Sequence, residues 1–125
     1  MRLSEVFQSM NSWQVLTALK MTPKMAYKLL KYVKLVSVEY DIADKQRVQL
    51  IHELTGTQPG MSANIEPGTP EHEEYARRFT EILNTECALM PSGLTLESVL
   101  DAVAKEQGNV LSARDLVVLE PFFTK

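Results

Sequence analysis

The chain has 125 residues, 45% of them hydrophobic and 23% charged, with a formal net charge of −3. That size and mixture support a buried core and exclude disorder throughout, while the acidic balance argues against general nucleic-acid binding, which concentrates Lys and Arg. The single cysteine, Cys87, excludes an internal disulfide scaffold, and no run approaches the roughly twenty apolar residues of a membrane span.

In chain order, residues 4–10 read as a short helix capped by Ser4, with Val6, Phe7 and Met10 on one side. Asn11 and Ser12 mark a break. Residues 13–19 read as a second short helix with Trp13, Leu16 and Leu19 inward, a strand over 14–19 being the alternative. Thr22 and Pro23 then open the strongest signal, because proline at the first helical position loses no hydrogen bond. The stripe Ala26, Leu29, Val33, Val36, Tyr40, Ala43, Leu50 and Leu54 follows one face of a long helix. Arg47 interrupts it with a side chain long enough to snorkel, and Gly56 supplies the stop. Such a helix spans about 32 residues, or roughly 48 Å, and needs a cover along its length. That cover comes from elsewhere in the chain or from a second copy, which makes a homo-oligomer one expectation.

Residues 57–70 hold Pro59, Gly60, Pro67, Gly68 and Pro70, a density that predicts a loop, with a short extended piece around Ile65. Residues 71–89 read as a second helix, with Glu71, Glu73 and Glu74 at its electropositive start and Tyr75, Phe79, Ile82 and Leu83 as its apolar face. Packed antiparallel on the long helix, it makes a helical hairpin. After a break at residues 90–93, Leu94, Thr95 and Leu96 read as briefly extended. Residues 96–106 then form a short helix burying Val99, Leu100 and Val103, and Gly108 and Asn109 end it. Ser112 and Asp115 resemble a capping box, with Leu111 and Leu116 as a hydrophobic staple. That last helix runs to Leu119, Pro121 ends it, and Phe122 and Phe123 fold back onto the body. The expected fold class is all-α: one domain over 1–125, a hairpin flanked by short N- and C-terminal helices.

Little in the chain carries chemistry. His52, His72 and Cys87 are isolated, where a zinc site needs about four ligands at set spacings. Cys87 has no base nearby in sequence and sits among apolar residues, as a core thiol does. Glu71, Glu73, Glu74, Glu81 and Glu86 read as a solvated face, and no glycine-rich phosphate loop is present. No catalytic residue, metal or cofactor is therefore expected. The remaining candidate is a lysine face on the long helix. Lys24, Lys28 and Lys31 step by four and three, with Tyr27 and Tyr32 nearby and Lys20 and Lys34 flanking. Those five positions (Lys24, Tyr27, Lys28, Lys31 and Tyr32) suit an acidic protein patch, a nucleic-acid backbone, or nothing beyond solvent.

Several segments together resemble a loosely defined group of small bacteriophage and prophage proteins. They are Leu3-Ser4-Glu5-Val6-Phe7, Thr22-Pro23-Lys24-Met25-Ala26-Tyr27-Lys28-Leu29, and a tail. The tail runs from Leu83-Asn84-Thr85-Glu86 through Leu94-Thr95-Leu96 to Leu111-Ser112-Ala113-Arg114-Asp115-Leu116 and Leu119-Glu120-Pro121-Phe122. The likeness lies in the order of elements over most of the chain; the loop at 57–70 and the segment 102–107 depart from it. The resemblance implies a phage origin and a helical fold and carries no catalytic residues with it. The expected role is protein binding, either as a minor virion or assembly component or as an inhibitor of a host factor. Nucleic-acid binding through the same face is the alternative. The opening residues lack the apolar run of a secretory signal, so the expected location is the host cytoplasm or the virion, with no membrane partner.

Overall fold

A computed structural model describes residues 1–58, 60, 63–104 and 111–124. Their regular structure is all helical: α1 (Leu3–Thr17), α2 (Pro23–Thr55), α3 (Pro70–Leu83), α4 (Leu96–Ala102), α5 (Ala113–Leu119) and a closing 3-10 turn (Glu120–Phe122). Extended pairing among the described residues is confined to two isolated bridges, Arg2 with Glu86 and Met21 with Val103.

The two expected N-terminal helices are one. α1 starts after Arg2, so Ser4 does not cap it, and it runs through Asn11 and Ser12 without a break. Of the two residues that suggested a break, Asn11 is exposed, and Ser12 sits on the buried face and donates to an Asp115 carboxylate oxygen (2.6 Å); Ser9, also buried, donates to the Val6 carbonyl (2.8 Å). A buried hydroxyl that keeps its hydrogen bond costs little.

α2 follows the sequence expectation closely. Pro23 opens it, and Gly56 closes it in the left-handed region at φ 71°, a conformation that favours glycine. Its 33 residues span about 50 Å. Leu29, Tyr32, Val36, Ala43 and Leu50 are its buried positions. Arg47 is half-buried, and its guanidinium donates to Asp44 (2.9 Å).

α3 begins at Pro70, capped by Thr69, whose hydroxyl accepts from the His72 N–H. It stops at Leu83, six residues before its expected end at Leu89. The chain beyond it is used differently: the Leu3 N–H donates to the Thr85 carbonyl (3.0 Å) and the Cys87 N–H to the Met1 carbonyl (2.9 Å). These bonds, with the Arg2–Glu86 bridge, lay residues 85–87 along the N-terminus. α4 starts at Leu96 as expected, with Thr95 as its cap. It ends at Ala102, because Thr22 donates to the Ala102 carbonyl and Ala104 to the Lys20 carbonyl. The expected helix therefore does not continue through Val103, which is extended, half-buried and bridged to Met21; its expected end at residues 105–106 and the stop at Gly108 and Asn109 fall outside the described residues, as do Pro59, Met61 and Ser62 of the loop. Val99 is fully buried, but Leu100, expected inside, is 39% exposed. α5 carries the full capping box: Ser112 accepts from the Asp115 N–H (3.1 Å), and Asp115 accepts from the Ser112 N–H (3.0 Å).

The core joins distant parts of the chain. Trp13 of α1 meets Tyr32 of α2 and Phe122 and Phe123 of the tail, with ring centroids 5.5 to 5.9 Å apart. Val6, Leu16, Leu29, Val36, Leu89, Val99 and Leu119 complete the cluster. The tail is tied down by its backbone as well, Ser92 donating to the Phe122 carbonyl and Thr124 to the Leu94 carbonyl (both 2.8 Å). A second aromatic group, in which Phe7 touches Tyr40 and Phe79, seats α3 against α1 and α2.

The Ser12–Asp115 bond makes a pH prediction. Asp115 is held below the usual carboxylate range, first by the Ser12 hydroxyl and then by the Ser112 N–H. A depressed carboxylate stabilises the fold above its unfolded pKa, near 4, and loses that contribution as pH falls through the lower folded value. In thermal melts, wild type is expected to lead Asp115→Asn at neutral pH, and the lead should vanish in acid.

Candidate functional site

α2 has two faces, and among the described residues only one is covered. Lys24, Lys28, Lys31 and Lys34 are all exposed, and among the described residues none of them has a carboxylate partner. Tyr27 lies among them, 68% exposed. Tyr32 does not. It is 8% exposed, packs in the core, and donates its phenol proton to the Met90 carbonyl (2.7 Å). Five residues along a helix turn the chain through about 500°, so Tyr27 and Tyr32 project to different sides. The expected face therefore loses Tyr32 and keeps Lys24, Tyr27, Lys28 and Lys31.

Tyr32 is structural, and alkali should show it. Burial pushes its phenol up to about 12 from an ordinary value near 10. A group whose pKa is raised by folding stabilises the fold fully below its unfolded pKa and stops doing so as pH rises through the folded one. Tyr32→Phe is expected to cost about 1 kcal/mol at neutral pH, the worth of one buried hydrogen bond. Denaturant melts should then show the deficit shrinking between pH 10 and pH 12.

The exposed face also contains residues that the lysine pattern did not reveal. Leu35, Val38 and Ile42 are 55%, 54% and 53% exposed. With the lysines they form one line: Lys24, Lys28, Lys31, Leu35, Val38, Ile42, Lys45. The steps are four, three, four, three, four, three, the 3.5-residue spacing of a helix–helix seam. The signal was present in the sequence as a second stripe, but the longer inward stripe masks it. Leu30 and Val48, also exposed, lie at one margin.

A second feature is an open cleft of about 810 Å³, floored by Leu3, Leu50 and Ile82 and walled by His52, Arg78 and Glu81 among others. Its polar groups already serve one another. Arg78 donates to Glu53 (3.1 Å), Arg77 to Glu81 (3.1 Å), and a His52 ring nitrogen, Nδ1, lies 2.7 Å from the Thr57 hydroxyl. No grouping of three or more His, Cys, Asp or Glu able to hold a metal occurs among the described residues. Cys87 is half-buried beside the core. Among the described residues, no helix is long and apolar enough to cross a membrane.

No family model matches the chain, and no curated protein or solved structure matches it significantly.

Proposed function

We propose that this is a non-enzymatic phage-encoded protein that works by binding another protein through the outward face of α2. The observation that carries the reading is the line from Lys24 to Lys45, which joins lysines without a carboxylate partner among the described residues to exposed Leu35, Val38 and Ile42. Exposed apolar side chains in a contiguous patch mark interaction surfaces. In this reading α2 and α3 form an antiparallel hairpin, with α1 behind α2 holding the outward face straight. The phage assignment rests on the sequence resemblance, and it favours a role in the virion, in its assembly, or in restraining a host factor.

Nucleic-acid binding is the second reading, favoured by the lysines and Tyr27 together. It leaves Leu35, Val38 and Ile42 without a purpose, since phosphate contacts need cations and stacking needs aromatic rings.

Photo-crosslinking in host extract tests both. A benzophenone side chain at position 35 or 38 should yield a discrete protein adduct, and the same probe at the exposed Ala76 of α3 should not. Adducts that disappear with nuclease would establish the second reading instead. Identical adducts from both helices would refute a specific face.

A further inference from the structure

We infer that the partner which covers α2 is an acidic helix, laid along the Lys24-to-Lys45 seam in a coiled-coil contact. This inference rests on the protein-binding reading above and adds the partner's chemistry.

Spacing gives the partner's shape. The line keeps the alternation of three and four across its whole length, with Leu30 and Val48 at one margin only. A narrow stripe of that period is what a second helix covers, since knobs at these positions meet holes on a facing helix. An interfacial membrane helix instead presents a broad apolar face with Trp or Phe at its margins. Here the in-line apolar residues number three and are aliphatic, with lysine beyond them at both ends.

Charge gives the partner's composition. The seam positions on either side of Leu35, Val38 and Ile42 are Lys31 and Lys45, followed outward by Lys28 and Lys24. None of these has a carboxylate partner among the described residues. A helix with apolar residues at its three central seam positions and Glu or Asp at the outer ones would satisfy every layer. A second copy of the chain would not. The seam of α2 contains no carboxylate between Lys24 and Lys45, so no register of self-pairing sets an acid in line with a lysine. Parallel pairing would set each lysine against its own copy. Like charges brought together in this way disfavour the pair.

The test uses a synthetic helix long enough to carry all seven seam positions, with leucine at the three central ones and glutamate at the outer four. A matched peptide carries lysine in place of glutamate. Titrated into the whole protein, the acidic peptide is expected to bind, to weaken with added salt, and to lose at least about tenfold in affinity against Val38→Glu. The lysine peptide should not bind wild type, and it should gain binding to the Lys24→Glu, Lys28→Glu, Lys31→Glu variant. That exchange of preference is something a merely sticky surface cannot produce. Failure of the acidic peptide, or equal binding of both peptides, overturns the inference. So does binding of phosphatidylglycerol vesicles or a single-stranded oligonucleotide in place of the peptide. If peptides fail while positions 35 and 38 still crosslink to a protein, the partner's chemistry is wrong and the binding face stands.

Discussion

Replacing Trp13 with alanine is expected to remove about 3 to 5 kcal/mol of stability, the usual cost of deleting a large buried aromatic side chain. Domains of this kind have about 5 to 15 kcal/mol in total, so the variant should melt far below wild type or fail to fold. The reason is positional as well as volumetric. Trp13 is 1% exposed and touches Tyr32, Phe122 and Phe123, so its loss loosens α1, α2 and the tail at once. Its indole N–H meets no acceptor among the described residues, which adds a contrast. Trp13→Phe discards an unsatisfied donor along with some volume, and it should cost clearly less than alanine. Equilibrium denaturation of both variants checks the pair. An alanine variant as stable as wild type would show that the aromatic cluster is not the centre of the core.

Reversing Lys24, Lys28 and Lys31 to glutamate together is expected to abolish partner capture while leaving the fold intact. All three side chains are exposed, and acidic residues near a helix start are favoured by its dipole. Circular dichroism should therefore show unchanged helicity and a melting temperature within a few degrees of wild type. The crosslink from position 38 should disappear. An undiminished crosslink would remove the lysines from the binding surface and leave Leu35, Val38 and Ile42 to account for it alone.

Much of the architecture was legible because its signals are local. Pro23 and Gly56 mark α2 at its two ends, although Thr22, expected to cap it, makes no side-chain cap bond, and Ser112 with Asp115 marks α5. Thr69 and Pro70, by contrast, look like the end of a loop in sequence and are the cap and first residue of α3. Features that depend on distant partners are not legible locally. Asn11 and Ser12 look like a break until Ser12 is seen bonded to Asp115, 103 residues away. Asn84 to Cys87 look helical until residues 85–87 are seen bonded along Met1 to Leu3. The site was half legible for a related reason. The lysine spacing placed Lys24, Lys28 and Lys31 on one face, but a tyrosine nearby in sequence is not nearby on a helix, and Tyr32 belongs to the core. Leu35, Val38 and Ile42 are hidden in the sequence because two apolar stripes run along one long helix, and only the packed fold shows which of them is covered.

The most direct test of an open face awaiting an unlike partner is the solution mass of the purified protein by light scattering, at low and high salt. The mass of a single chain in both conditions is the expected result, since the Lys24-to-Lys45 seam offers its own copy no carboxylate. A dimer that persists in high salt and falls apart on Val38→Glu would contradict the account, and would make the second copy the occupant of that face.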